Sequence, residues 1–248
     1  TEEIVSVLLN LGFNAHKLHG HIYDFSAKIS ANPYVQFHWS YDLPKMPTIN
    51  AKAALRWTNL DMLNFGNNDL SLSYLCAKQE VFLSNIKWKQ FDIKSGIRNE
   101  VFNIRNIKSS EIIGDYDLEH LTNDFVSLYL DARTDTFDDG YFPTKGVNAG
   151  VSYAWVFTGF PYRADNFHTL QADARTVVPI GDRFAFIPSL NCRFLIGHDI
   201  PVAYVNAIGG SLPGRYVDQQ IPFLGVTNLH AMKNMLTIYR ADLRFKLA

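Results

Sequence analysis

Residues 235–247 narrow the fold of this chain more than any other stretch. Met235, Thr237, Tyr239, Ala241, Leu243, Phe245 and Leu247 alternate there with positions that include Arg240, Asp242, Arg244 and Lys246. Strict alternation is the period of a β-strand, whose successive side chains point to opposite faces. One face is apolar, while the other carries four ionisable groups that a dry core would not accept. A strand with two such faces lies between an apolar medium and a wet one. Val147, Ala149, Val151, Tyr153, Trp155 and Phe157 share a face against Asn148, Gly150, Ser152 and Thr158, and 184–194 repeats the pattern with its apolar residues at even positions. Ordinary strands have about five or six residues. A strand crossing a bilayer at a tilt needs about 9 to 11, so these segments read as membrane-crossing strands with apolar sides towards lipid.

Earlier segments carry the same period at 5–13, 18–29, 35–41, 51–57, 70–76 and, less regularly, 88–97. The polar stretch 103–123 is predicted to be an exposed loop. No helical stretch or linker interrupts the series, so residues 1–248 are predicted to form one all-β domain, an antiparallel up-and-down barrel of about 11–12 strands. A hydrophobic fraction of 47% with only 19% charged residues excludes disorder, and 18 Phe, 12 Tyr and 4 Trp suit aromatic girdles at a membrane interface. A net charge of -1 gives no basic field, which excludes a nucleic-acid partner. No run of about 18 apolar residues exists to form a transmembrane helix, a rule that does not touch barrels. Cys76 and Cys192 have no metal or redox spacing and are read as small apolar residues on outward phases. The chain opens on Thr1 and closes inside a strand pattern, which predicts that it is part of a longer polypeptide closing the sheet.

Between two alternating segments lies a loop, 197–233, of a different kind. It is punctuated by Gly and Pro yet rich in large apolar residues, and loops of this length are uncommon unless functional. Such a loop packs against something, and the simplest picture folds it back into the barrel lumen. Pro213-Gly214-Arg215-Tyr216 forms a tight tip with one fixed charge, and an inward carboxylate would receive the Arg215 guanidinium as a fork.

The segment 131–146 joins two of the strongest strands. Asp131, Asp135, Asp138 and Asp139 raise the possibility of a calcium site or an acid pair, against a structured turn in which Asp side chains cap backbone amides. The turn is the favoured reading, with Pro143 fixing φ and Gly146 at a permissive position. Ser211 sits in a near match to a nucleophile elbow, with Asp218 and His230 downstream, but Pro213 breaks the motif and no strand–turn–helix surrounds it. His16, His19 and His21 lack a partner at metal spacing. No catalytic residue, metal or cofactor is expected in this chain.

Two motifs go further. Phe142-Pro143-Thr144-Lys145-Gly146 resembles the Phe-Pro-Thr-Lys/Arg-Gly turn of the BamA-type outer-membrane barrel superfamily, the bacterial surface antigen family. Gly209-Gly210 through Gly214-Arg215-Tyr216 resembles the signatures of its sixth extracellular loop, in the family's order and spacing. Residues 214–223 look most like barrels attached to patatin-like phospholipases of Bacteroidetes-type bacteria. The resemblance implies a 16-stranded barrel in the outer membrane of a Gram-negative bacterium, with POTRA domains, and in the patatin branch a lipase domain, upstream. It also implies that the loop arginine meets an acid on the inner wall: here Asp242 first and Asp173 second. The loop reads Gly-Arg-Tyr where insertases have Arg-Gly-Phe, and Arg244 stands near the usual Glu position. The implied function is protein insertion into, or translocation across, the outer membrane. Implied partners are outer-membrane lipid and client outer-membrane proteins or the protein's own upstream domain. An anchor for a phospholipase and a soluble all-β binding module are the alternatives.

Overall fold

The computed structural model describes residues 7–13, 20–29, 32–63, 69–109, 122–158, 166–181, 183–198, 200, 204, 206–209, 220–223, 229–232 and 234–245. Ten long strands follow one another: β1 (Val7–Phe13), β2 (His21–Ile29), β3 (Tyr34–Tyr41), β4 (Thr48–Leu63), β5 (Asp69–Trp88), β6 (Phe91–Ser109), β7 (Thr122–Asp135), β8 (Gly146–Thr158), β9 (Asn166–Ile180) and β10 (Phe184–Gly197). Each pairs antiparallel with the next. Three short strands, β11 (Asn206–Ile208), β12 (Gln220–Ile221) and β13 (Leu229–Met232), lie in the loop, and β14 (Met235–Phe245) returns to pair with β10. The path thus runs as an eleven-strand meander from β1 to β14, and the sheet is not closed.

Connections differ in length along the meander. The two shortest, 89–90 and 181–183, lie at one end of the sheet, and the longest interval between paired strands, 198–234, lies at the other. Short turns on one side and long loops on the other are the plan of an outer-membrane barrel. The shortest turn is at Lys89, with φ 55°; Asn85, with φ 60°, sits at a break in register between Leu83 and Ile86. Asn tolerates this left-handed conformation, and the extra residue bends the strand.

The two faces of the sheet differ as the alternation requires. On the outward face, Trp155, Phe186, Tyr153, Val151, Met235 and Tyr239 are 38–78% exposed, and no second sheet packs on them among the described residues. A soluble all-β binding module needs a partner sheet over such side chains, whereas an exposed apolar face of this kind suits contact with lipid. His21 lies on this face near the short-turn end, accepting a hydrogen bond from Trp39 Nε1 at 3.1 Å and stacking on Tyr41 at 4.4 Å. An amphipathic ring cluster of this kind suits a membrane–water interface.

Three expectations are corrected in the middle of the chain. The segment 88–97 is not one strand: β5 ends at Trp88 and β6 starts at Phe91. Nor is 103–123 all loop, because β6 continues to Ser109 and β7 begins at Thr122, with Ile104 buried. β5 and β6 have 20 and 19 residues, well beyond the roughly 9 to 11 that cross a bilayer. Past the hydrocarbon the outward face meets water, so alternation lapses while backbone pairing goes on. The phase of Cys76 is the third correction. It faces inward, packed on the cluster of Leu72, Tyr74, Phe102 and Phe125. An apolar face here signals a wall covered by protein rather than by lipid.

Candidate functional site: the loop inside the lumen

Register builds the inner wall from cross-strand pairs. Lys52 on β4 lies opposite Glu80 on β5, which lies opposite Arg98 on β6. One row further, Lys78 lies opposite Glu100. Opposite charges in directly facing positions attract across the ladder. Arg98 Nε donates to Glu80 Oε1 at 2.5 Å, and Lys78 Nζ sits 3.6 Å from Glu80 and 3.5 Å from Glu100. Glu80 and Glu100 are both buried, so these charges need their partners.

Above this charged belt the wall turns aromatic, and the loop docks there. The Tyr204 ring meets Phe102, Phe125 and Phe167 edge-on at centroid distances of 6.1, 5.0 and 5.0 Å. Edge-to-face geometry sets positive ring edges against negative faces. At the far end of the ring, Tyr204 Oη donates to Glu100 Oε2 at 2.5 Å. Arg193, on the inward phase of β10, secures the same segment by donating from Nη1 to the Tyr204 carbonyl at 2.9 Å and to Asn206 Oδ1 at 2.5 Å. Asn206 is wholly buried and Arg193 nearly so. A hydrogen bond to a charged group contributes about 1.5–3 kcal/mol, and one left unmade in a buried site costs more.

The rest of the loop forms a strap. β11 pairs parallel with β12 and antiparallel with β13, and β13 adds parallel to the end of β4 at Leu229–Met62 and His230–Leu63. Gln220 Nε2 donates to the Gly209 carbonyl at 2.6 Å, so even the short pairing of β11 with β12 is side-chain supported. Ile208 and Ile221 pack on Leu236 and Ile238 of β14. The strap therefore spans from β10 and β14 to β4, and Leu195 N closes its base on the Asn234 carbonyl at 2.7 Å. Beneath it is a cavity of about 230 Å³.

At the opposite end, the β7–β8 turn also folds inward. Asp138 accepts from Thr144 N at 2.8 Å, Thr144 Oγ1 at 2.5 Å and Lys145 N at 3.2 Å; Asp139 accepts from the amides of Tyr141 and Phe142. These bonds favour the ionised forms, and those from Thr144 hold the Asp138 carboxyl at about 2. Gly146 has φ +109°, and a Cβ there would lie 2.3 Å from the Thr136 carbonyl oxygen. Pro143 is fully buried, and its carbonyl accepts from Arg244 Nη1 of β14 at 2.9 Å. The Arg244 guanidinium also stands 5.8 Å from the centroid of the Phe142 ring, whose side chain is otherwise exposed.

The residues singled out from sequence divide accordingly. Asp135 accepts from Phe137 N and Asn148 Nδ2 in the turn, and Asp131 accepts from Ser152 Oγ on the wall. Asp173 holds Arg133 at 3.2 Å across β8, where Gly150 leaves room: a Cβ at Gly150 would lie 2.9 Å from Asp173 Oδ1. Asp242 pairs with Arg240 at 2.9 Å. Gly214, Arg215 and Tyr216 lie outside the described residues, as do Ser211, Asp218, His16 and His19. Among the described residues no cluster of His, Cys, Asp and Glu could hold a metal. Sequence reasoning missed Tyr204, Glu100 and Arg193. The signal was present: Lys78, Glu80, Arg98 and Glu100 keep a period of two across β5 and β6, which marks a wet face.

The sequence matches the OMP85 superfamily over residues 28–248. No curated protein matches it. The crystal structure of BamA from Haemophilus ducreyi lacking POTRA domains 1-3 is similar in fold, with a TM-score of 0.65 at 11% identity, over 86% of this chain and 46% of that one. This chain thus spans about half the length of that structure. The match over 28–248, on a meander with an apolar outer face and a loop folded into its lumen, makes this chain a member of the OMP85 superfamily and a β-barrel protein of the Gram-negative outer membrane.

Proposed function

We propose that this barrel inserts proteins into the outer membrane or carries them across it. The observation that carries the reading is the strap itself. A lumen built only to anchor a domain needs no buried charge network, whereas Glu100 and Arg193 are spent on holding a loop across the passage. Buried charged networks cost desolvation, so a removable plug is the role that fits the arrangement. Arg215, with Asp242 ahead of Asp173 as its acid, is a second fastening in this reading. Arg215→Lys should rescue only partly because an ammonium cannot make the bidentate fork. The patatin branch favours the protein's own upstream domain as cargo, on the resemblance of residues 214–223 alone.

The direct test is removal of the gene from its native bacterium, followed by quantitative proteomics of purified outer membranes. Loss of a set of other outer-membrane barrels on removal of the gene is the result for an insertase, and loss of surface display of the protein's own upstream domain in a strain carrying a variant that lacks residues 198–234 is the result for a translocator. An unchanged outer membrane, with that domain displayed by a variant lacking residues 198–234, contradicts both.

A further inference from the structure

The outward face of the sheet carries two carboxamides side by side. Gln79 of β5 lies directly opposite Asn99 of β6, and on its other side Gln79 faces Ala53 of β4. The aromatic residues set the depth of this pair. Tyr41, in the ring cluster near the short-turn end, stands opposite Ile49, and Trp57 closes the same face of β4 at the other end. Ile49 to Trp57 is nine residues, which matches the roughly 9 to 11 of a tilted bilayer crossing. Ala53 is the midpoint, so Gln79 beside it meets hydrocarbon. The outward positions of β8, β10 and β14 carry no carboxamide and no charged group, and His168 of β9 shares a hydrogen bond of 2.8 Å with Tyr153 Oη. By contrast, Gln79 is exposed, and Asn99 Oδ1 has no hydrogen-bond partner among the described residues. Lipid tails offer neither donor nor acceptor, and an amide left unbonded in hydrocarbon is costly.

We propose that this patch of β3–β6 is the seat of a second copy of the chain, so that the protein is a homodimer in the membrane. A two-fold axis along the membrane normal sets every residue at the depth of its own counterpart, and near the axis a residue meets itself. A carboxamide carries both donors and an acceptor. Gln79 of one copy therefore gives to and takes from Gln79 of the other, with Asn99 alongside. A different protein needs its own matched amide at this depth, whereas the second copy has one by symmetry. Shape agrees with this pairing. A hollow of about 440 Å³ opens here, with Ala51 and Ala53 in its lining, and Phe37, Val81 and Ile97 stand around it at 44, 61 and 54% exposure. A ridge and a hollow on one surface suit a self-complementary contact. Small residues at its centre let two membrane-embedded backbones come close, as they do between membrane helices.

The contact does not depend on what the barrel transports. Single-cysteine variants of the full-length protein, with Cys76 and Cys192 replaced by Ala and oxidised in native outer membranes, test it. Ala53→Cys should give a covalent species of twice the protein's mass, and Leu243→Cys, on the lipid face of β14, should give none. Adding Gln79→Leu and Asn99→Leu to Ala53→Cys should lower that yield about tenfold, although leucine suits lipid better than an amide does. The heat-modifiable shift of the barrel on gels shows that each variant folds. Native mass spectrometry from polymer-bounded membrane discs counts copies without any added cysteine: two are expected for the parent and one for the Gln79→Leu/Asn99→Leu variant. A single copy in the parent overturns the proposal. So does a dimeric parent in which Ala53→Cys fails to crosslink, crosslinks only to a protein of another mass, or crosslinks no better than Leu243→Cys. An unchanged dimer yield after both amides are removed overturns it as well.

Discussion

Two segments meet the inner wall at opposite ends of the sheet, and they are held in different ways. The β7–β8 turn is fastened mainly to itself: Asp135, Asp138 and Asp139 bond amides two to seven residues away, while Arg244 of β14 meets the Pro143 carbonyl and the Phe142 ring, and Arg175 of β9 stands 6.0 Å from the Phe137 ring centroid. The strap is fastened to wall positions distant in sequence, by the side-chain bond of Tyr204 to Glu100, 104 positions apart, and by the backbone pairing of β13 with β4. Local fastening forms with the turn and is independent of the far wall. Remote fastening exists only once β6, β7, β9 and β10 stand in register, so it reports assembly of the sheet.

Breaking the remote fastening should produce the largest effect. Tyr204→Ala removes a ring from three aromatic neighbours and the donor to Glu100, and truncations of buried aromatics cost about 3–5 kcal/mol. Urea unfolding from liposomes should show that loss, and limited proteolysis should cut within 198–234 while the strands remain protected. A parent-like proteolytic pattern would remove Tyr204 from the anchor. The outward face gives the next effect. Tyr153→Arg should cost about 2–4 kcal/mol of folding into liposomes near the midplane, and Ser152→Arg, on the inward phase, should cost less. Equal costs would contradict the assignment of faces.

The local fastening is smaller in each of its parts. Gly146→Ala forces a side chain into a left-handed conformation against the Thr136 carbonyl, a strain of about 1–3 kcal/mol. It should loosen the turn, read as faster amide exchange at 136–145, and leave the proteolytic pattern of the strap unchanged. The smallest effect is that of acid on Asp138. Its carboxyl is held at about 2, below the ordinary value of 3.8. A depressed carboxylate contributes stability that is present above the ordinary value and is lost as pH falls through the folded one. The protection factor of the Thr144 amide, with exchange corrected for the intrinsic rate at each pH from 5 to 2, should therefore fall between about 3.8 and 2, and Asp138→Asn should remove that dependence.

The same contrast decides what could be read from the sequence. The barrel plan was legible because β8, β10 and β14 alternate without a break, and the turn was legible because its Asp residues cap amides close by. The strap's place in the lumen was legible from its apolar content, but its anchor was not. Tyr204 is one aromatic among many, and its partner Glu100 lies on β6 in the short interval between 88–97, which reads as strand, and 103–123, which reads as loop. Cys76 was assigned to lipid for the complementary reason: a wall covered by the strap is as apolar as one covered by hydrocarbon. Periodicity finds a strand and its two faces; it does not say what covers each.

The account rests on the bond between loop and wall, and a double-mutant cycle measures that bond by itself. Tyr204→Phe keeps the ring and removes the hydroxyl, Glu100→Gln keeps the shape and removes the charge, and the pair together completes the cycle in reversible unfolding from liposomes. The two groups meet at 2.5 Å in a buried site, so their coupling should fall at about 1–3 kcal/mol, within the range for residues in direct contact. Additivity to within about 0.5 kcal/mol, the behaviour of distant sites, would mean that Tyr204 and Glu100 do not hold the strap in the lumen.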